Sequence, residues 1–70
     1  MNTPKEPGGW YPEGENTYSM IDPITNGTWI VESPREESED SLNALIDFHL
    51  ISGGVTRPED GTVSILKRFV

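Results

Sequence analysis

The spacing of apolar residues changes character along the chain, and each change marks an element. Residues 1–16 follow neither a period of two nor one of 3.6, and Pro4, Pro7, Pro12, Gly8, Gly9 and Gly14 interrupt them throughout. They read as a flexible N-terminal arm. From Thr17 two β-rich runs appear, Thr17-Tyr18-Ser19-Met20-Ile21 and Thr28-Trp29-Ile30-Val31-Glu32, with Asp22-Pro23 closing the first and Asn26-Gly27 between them. Proline cannot donate to a ladder, and Asn-Gly accepts the positive φ of a tight turn, so a β-hairpin is predicted. Tyr18 and Met20 share one face of the first strand, and Trp29 and Val31 share one face of the second.

A polar stretch, Glu32 to Asp40, then holds five of the twelve acidic side chains and links hairpin to helix. Leu42, Leu45, Ile46 and His49 stand at i, i+3, i+4 and i+7, which predicts a helix over residues 39–51. Ser38 suits its N-cap, Glu39 and Asp40 suit the positive end of its dipole, and Gly53-Gly54 supplies the stop. Phe48 and Ile51 lie off the Leu42/Ile46 stripe. In so small a domain both flanks are expected to be buried, the alternative being docking or dimerisation through one of them. Val55-Thr56-Arg57 reads as a short strand, Pro58-Glu59-Asp60-Gly61 as a turn, and residues 62–70 as a longer strand. The fold class is therefore α+β: one helix packed on a small, mainly antiparallel sheet (β-hairpin, helix, short strand, strand). It forms a single domain over residues 17–70, behind a flexible arm.

Length limits the interior. Seventy residues bury only about 60% of the surface the unfolded chain exposes. With no cysteine, neither disulfides nor thiolate metal sites are expected to help. The opening residues carry no apolar h-region and no run approaches a membrane span, so a cytoplasmic protein that meets no membrane is expected. Asn26-Gly27-Thr28 matches a glycosylation sequon but reads as a turn. The net charge of −7 opposes phosphate neutralisation, so direct binding of nucleic acid is not expected.

Catalytic and metal-binding constellations are missing from the pattern. His49 is the single histidine, Asp47 stands two residues from it on another helix face, and no Gly-x-Ser-x-Gly elbow or phosphate-cradling loop is present. The expectation is a non-enzymatic chain without cofactor or metal. Two clusters are suited to partner binding. Trp10 and Tyr11 stand among prolines and glycines, where they serve either as anchors in a partner's pocket or as a cap on this domain's own core. Glu36, Glu37, Glu39 and Asp40 form an acidic run, which is either a solvated linker or a surface that steers a basic partner.

A compact, cysteine-free acidic chain of this length, with Gly9-Trp10-Tyr11-Pro12 in its arm and one helix on a few strands, resembles the small RNA-polymerase-binding transcription regulators and antiterminators of the Xanthomonas phage type. That resemblance implies a regulator, monomeric when free, that binds host RNA polymerase subunits by protein–protein contact. It implies altered initiation and termination in the cytoplasm of an infected bacterial host. The rival readings are an acidic nucleic-acid mimic that inhibits another host DNA-binding protein, and a small phage assembly protein that self-associates.

Overall fold

The computed structural model describes residues 6–59 and 61–67, and it is an α+β fold of one helix and a four-stranded mixed sheet. The elements are β1 (Trp10–Gly14), β2 (Thr17–Ile21), β3 (Thr28–Glu32), α1 (Glu39–Ser52) and β4 (Thr62–Leu66), in sheet order β1-β2-β3-β4. The pairs β1–β2 and β2–β3 are antiparallel and β3–β4 is parallel. A parallel neighbour needs a long crossover, and residues 33–61, which include α1, supply it.

The register explains the core. Trp10, Met20, Trp29 and Val63 lie opposite one another across the four strands, and Tyr18, Val31 and Ile65 form the adjacent row. Both rows face α1, whose Leu42 and Ile46 are buried against them. Trp29 and Val31 are 0% exposed, so the aromatic side of the predicted hairpin is its inner side. The other face carries Tyr11, Ser19, Ile30 and Ser64 in one row and no described helix covers it, as an antiparallel hairpin sheet permits.

Three expectations are corrected. Trp10–Gly14 is not part of a flexible arm but an edge strand hydrogen-bonded to β2. The turn between them holds Asn16 at φ 61°, a left-handed residue that Asn tolerates. The first five residues of the predicted arm lie outside the described residues. Val55-Thr56-Arg57 forms no strand: Arg57 reaches back to Asp22 and Pro58 is buried beside Gly27, so the segment is committed to loop contacts instead of a ladder. The final strand ends at Leu66, and residues 68–70 lie outside the described residues.

The loop between β2 and β3 also departs from the predicted turn. Only Asn26 takes a positive φ, at 63°, while Gly27 is needed for space. A Cβ on Gly27 would sit 2.1 Å from the carbonyl oxygen of Pro58 and 2.6 Å from its carbon, both backbone atoms, and Thr25 Oγ1 also donates to that oxygen. Gly27→Ala should therefore cost about 2 kcal/mol or more by forcing the loop off Pro58. Gly61→Ala, with nothing within 4 Å of the new methyl, should stay within about 0.5 kcal/mol. Equilibrium denaturation of the two variants checks the contrast.

Candidate functional site

The helix is built as its sequence directs. Ser38 sits at φ −83°, ψ 163° and its Oγ accepts from the Ser41 N–H at 3.2 Å, while Glu39 and Asp40 occupy the first turn. Gly53 closes the other end in the left-handed region at φ 78°, and Gly54 N–H donates to the His49 carbonyl at 3.0 Å.

At 100° per residue, Leu42, Leu45, Ile46, His49 and Leu50 point toward the sheet, and Ala44, Phe48 and Ile51 point away from it. Phe48 is 65% exposed and Ile51 87%, contrary to the expected burial of both flanks. One helix on one side of a single sheet has only one side to bury, and no described element crosses its back. Asp40 and Asp47 lie along one side of this outer stripe and are exposed as well. The Phe48 ring meets the His49 ring edge-on, with centroids 5.5 Å apart.

Of the residues singled out in the sequence, most are committed within the fold. Trp10 is 8% exposed, and its Nε1 donates to Asn43 Oδ1 on α1 at 2.8 Å. It caps the domain's own core and is not available as an anchor, because strand pairing with β2 turns it inward. Tyr11 is half-buried on the opposite face, its hydroxyl accepting from the Glu6 N–H at 2.9 Å. The acidic run is divided. The Glu37 carboxylate is 6% exposed, accepts from Ser41 Oγ at 3.1 Å and pairs with Lys67 Nζ, while its backbone N–H donates to the Tyr18 hydroxyl at 3.0 Å. Glu39 accepts from the Trp10 backbone N–H at 3.4 Å. Glu36 and Asp40 are exposed. The structure thus does not gather Trp10, Tyr11, Glu36, Glu37, Glu39 and Asp40 into one surface.

Asp22 was not singled out as a site residue, and it holds the most concentrated polar interaction of the described residues. Fully buried, it accepts from Ile24 N–H (2.8 Å), Thr25 N–H (3.1 Å), Trp29 Nε1 (2.9 Å) and Arg57 Nη1 (2.7 Å). The Asp-Pro dipeptide at a strand end was the available signal, since aspartate at such a position bonds the backbone two residues on. Burial pushes its carboxyl upward, but the hydrogen bonds from Trp29, Ile24, Arg57 and Thr25 outweigh it and hold the group at about 2, below the usual 3.8. With every acceptor direction occupied from within, Asp22 organises structure and offers nothing to a substrate.

Among the described residues, no three His, Asp or Glu side chains are gathered as a metal site, and no helix is long and apolar enough to cross a membrane. Comparison of the chain with protein families, with curated proteins and with solved structures finds no match. The outer stripe of α1, with its acidic shoulder, is the candidate site that remains.

Asp22→Asn should cost about 3–5 kcal/mol, because whichever way the amide turns, its NH2 meets donors, and Arg57 loses its counter-charge. Folding favours the charged carboxylate, so roughly 2 kcal/mol of stability is fully present above about pH 4 and is lost as pH falls through about 2. Denaturation followed from pH 5 to pH 2 should show that loss in the native chain and a flatter slope in the variant. Trp10→Ala should lower stability by about 3 kcal/mol, measured in the same way, whereas an exposed anchor would leave it unchanged.

Proposed function

We propose that this chain is a non-enzymatic binding module that acts by protein–protein contact, through Ala44, Phe48 and Ile51 on the outer face of α1. The observation that carries this reading is a pair of large apolar side chains, 65% and 87% exposed, on the one face of the helix that packing leaves open. Residues at i, i+4 and i+7 are the anchors by which a helix docks in an apolar groove. Such exposure is costly to solubility unless a partner receives it. Asp40 and Asp47 beside the stripe, on a chain of net charge −7, favour a groove with basic surroundings, since complementary charge speeds encounter and fixes orientation.

Nucleic-acid-handling proteins present such basic surfaces. The target we propose is bacterial RNA polymerase, the partner implied by the resemblance to phage transcription regulators. The chain would be monomeric when free, would work in the cytoplasm of an infected host, and would alter initiation and termination without touching DNA or RNA itself. The mimic reading is weakened because Glu13, Asp22, Glu37 and Glu39 accept hydrogen bonds from within the chain and are not free to stand for phosphates.

Phe48→Ala combined with Ile51→Ala should weaken the complex with purified polymerase by about 2 kcal/mol or more while barely moving the melting temperature, since both side chains lie outside the core. Asp47→Lys should slow association and reduce its salt dependence. Biolayer interferometry and a reconstituted transcription assay read these outcomes. Failure of the native chain both to bind polymerase and to change initiation or termination rejects the target, and undiminished binding by the double variant rejects the stripe.

A further inference from the structure

The two edges of the sheet are treated differently. On β1, the outward N–H of Trp10 is taken by the Glu39 carboxylate, Pro12 has no N–H to present, and the register breaks between Pro12 and Gly14. These are the devices by which edge strands avoid further pairing. On β4 none of them is present. Thr28 N–H donates to the Gly61 carbonyl at 3.0 Å and Lys67 N–H to the Glu32 carbonyl at 2.8 Å, which sets the phase of the parallel ladder. Val63 and Ile65 therefore direct their backbone groups at β3, while Thr62, Ser64 and Leu66 direct theirs outward. All three are exposed, and no described residue bonds to their outward groups.

Carboxylates bracket this edge. Glu59 lines a hollow with Gly61 and Thr62 at its start, where the neighbouring Arg57 is committed to Asp22. Glu32 on the neighbouring β3 lines a hollow of about 470 Å³ with Pro34 and Leu66 at its end, which runs across the end of the sheet to Glu15 in the β1–β2 turn, and Lys67 there is committed to Glu37. Neither Glu15 nor Glu32 is ion-paired among the described residues. Leu66, 55% exposed, gives the second hollow an apolar wall. That combination fits the stem and head of a long basic side chain.

We infer that the open edge of β4 is a strand-addition site for an extended segment of a partner protein that carries lysine or arginine at each end of a short β-branched run. Main-chain bonds to Thr62, Ser64 and Leu66 supply the ladder, and the five-residue strand, about 13 Å from first Cα to last (four steps of ~3.3 Å), places the two basic residues just beyond its ends. The site is distinct from the outer stripe of α1, and the chain can use either without the other.

The probe is a seven-residue peptide of alternating threonine and valine with lysine at both ends, set against one with glutamate at both ends and one with proline at the centre. The lysine peptide should slow amide exchange at Thr62, Ser64 and Leu66 by about tenfold or more, and the other two by less than about twofold. Ser64→Pro removes only an outward N–H, so β3–β4 pairing survives, and affinity for the peptide should fall about tenfold or more. If that variant does not fold, exchange in the native chain decides. The Phe48→Ala/Ile51→Ala variant should bind the peptide as the native chain does. The inference is overturned if these amides are already protected in the free monomer, if the proline peptide protects them equally, or if protection rises with chain concentration alone, which makes a second copy the occupant.

Discussion

A carboxylate without access to water, Asp22, ties the β2–β3 hairpin to a segment beyond α1 that forms no strand. It takes hydrogen bonds from the turn after β2, from the indole of the most deeply buried aromatic, Trp29, and from Arg57 beyond the helix. A buried charge is tolerated only when it is fully satisfied, so these partners have to arrive together. Where they meet, the segment after α1 is brought back to the hairpin, Pro58 closes on Gly27, and the chain is delivered to Gly61, where β4 begins beside β3. The parallel strand, and with it the open edge, depends on this knot.

A single helix on a single sheet leaves surfaces that no further described element covers. The inner side of α1 and one face of the sheet are spent on a core of seven buried hydrophobic side chains among the described residues, with little surplus in a chain of this size. The outer side of α1, the other face of the sheet and the β4 edge are what remains. The first carries Phe48 and Ile51, which water accommodates poorly, and the last carries Leu66 beside backbone donors and acceptors that no described residue pairs.

The sequence made the hairpin and the helix legible because each has a local signature. Alternation around Asn26-Gly27 and the Ser38 and Gly53 caps act within a few residues of what they define, and the structure places β2, β3 and α1 within a residue of the expected bounds. What was hidden depends on contacts distant in sequence. Trp10–Gly14 looks like an arm because its strand character comes from pairing with β2 and from Asn43, thirty-three residues away. Gly27 looks like a turn glycine, yet it is required by Pro58 on the far side of the helix. The acidic run looks uniform, and only the fold reveals that Glu37 meets Lys67 and Glu39 meets β1 while Glu36 and Asp40 stay in solvent. Periodicity likewise gave Phe48 and Ile51 as apolar without saying that no described element lies behind them.

The residues first suited to touching a partner have a different relation to binding. Glu39 fastens the start of α1 to β1, Trp10 fastens Asn43 one turn further on, and Glu37 fastens the preceding linker to Lys67 at the end of β4. The helix is thereby held at its N-terminal half to both edges of the sheet, with Leu42 and Ile46 packed between. A stripe carried on an element so fixed loses little conformational entropy when a partner covers it, and less of the contact energy is consumed in ordering it. Under the proposed function, Trp10, Glu37 and Glu39 would serve recognition by pre-organisation, although they take no part in the proposed contact.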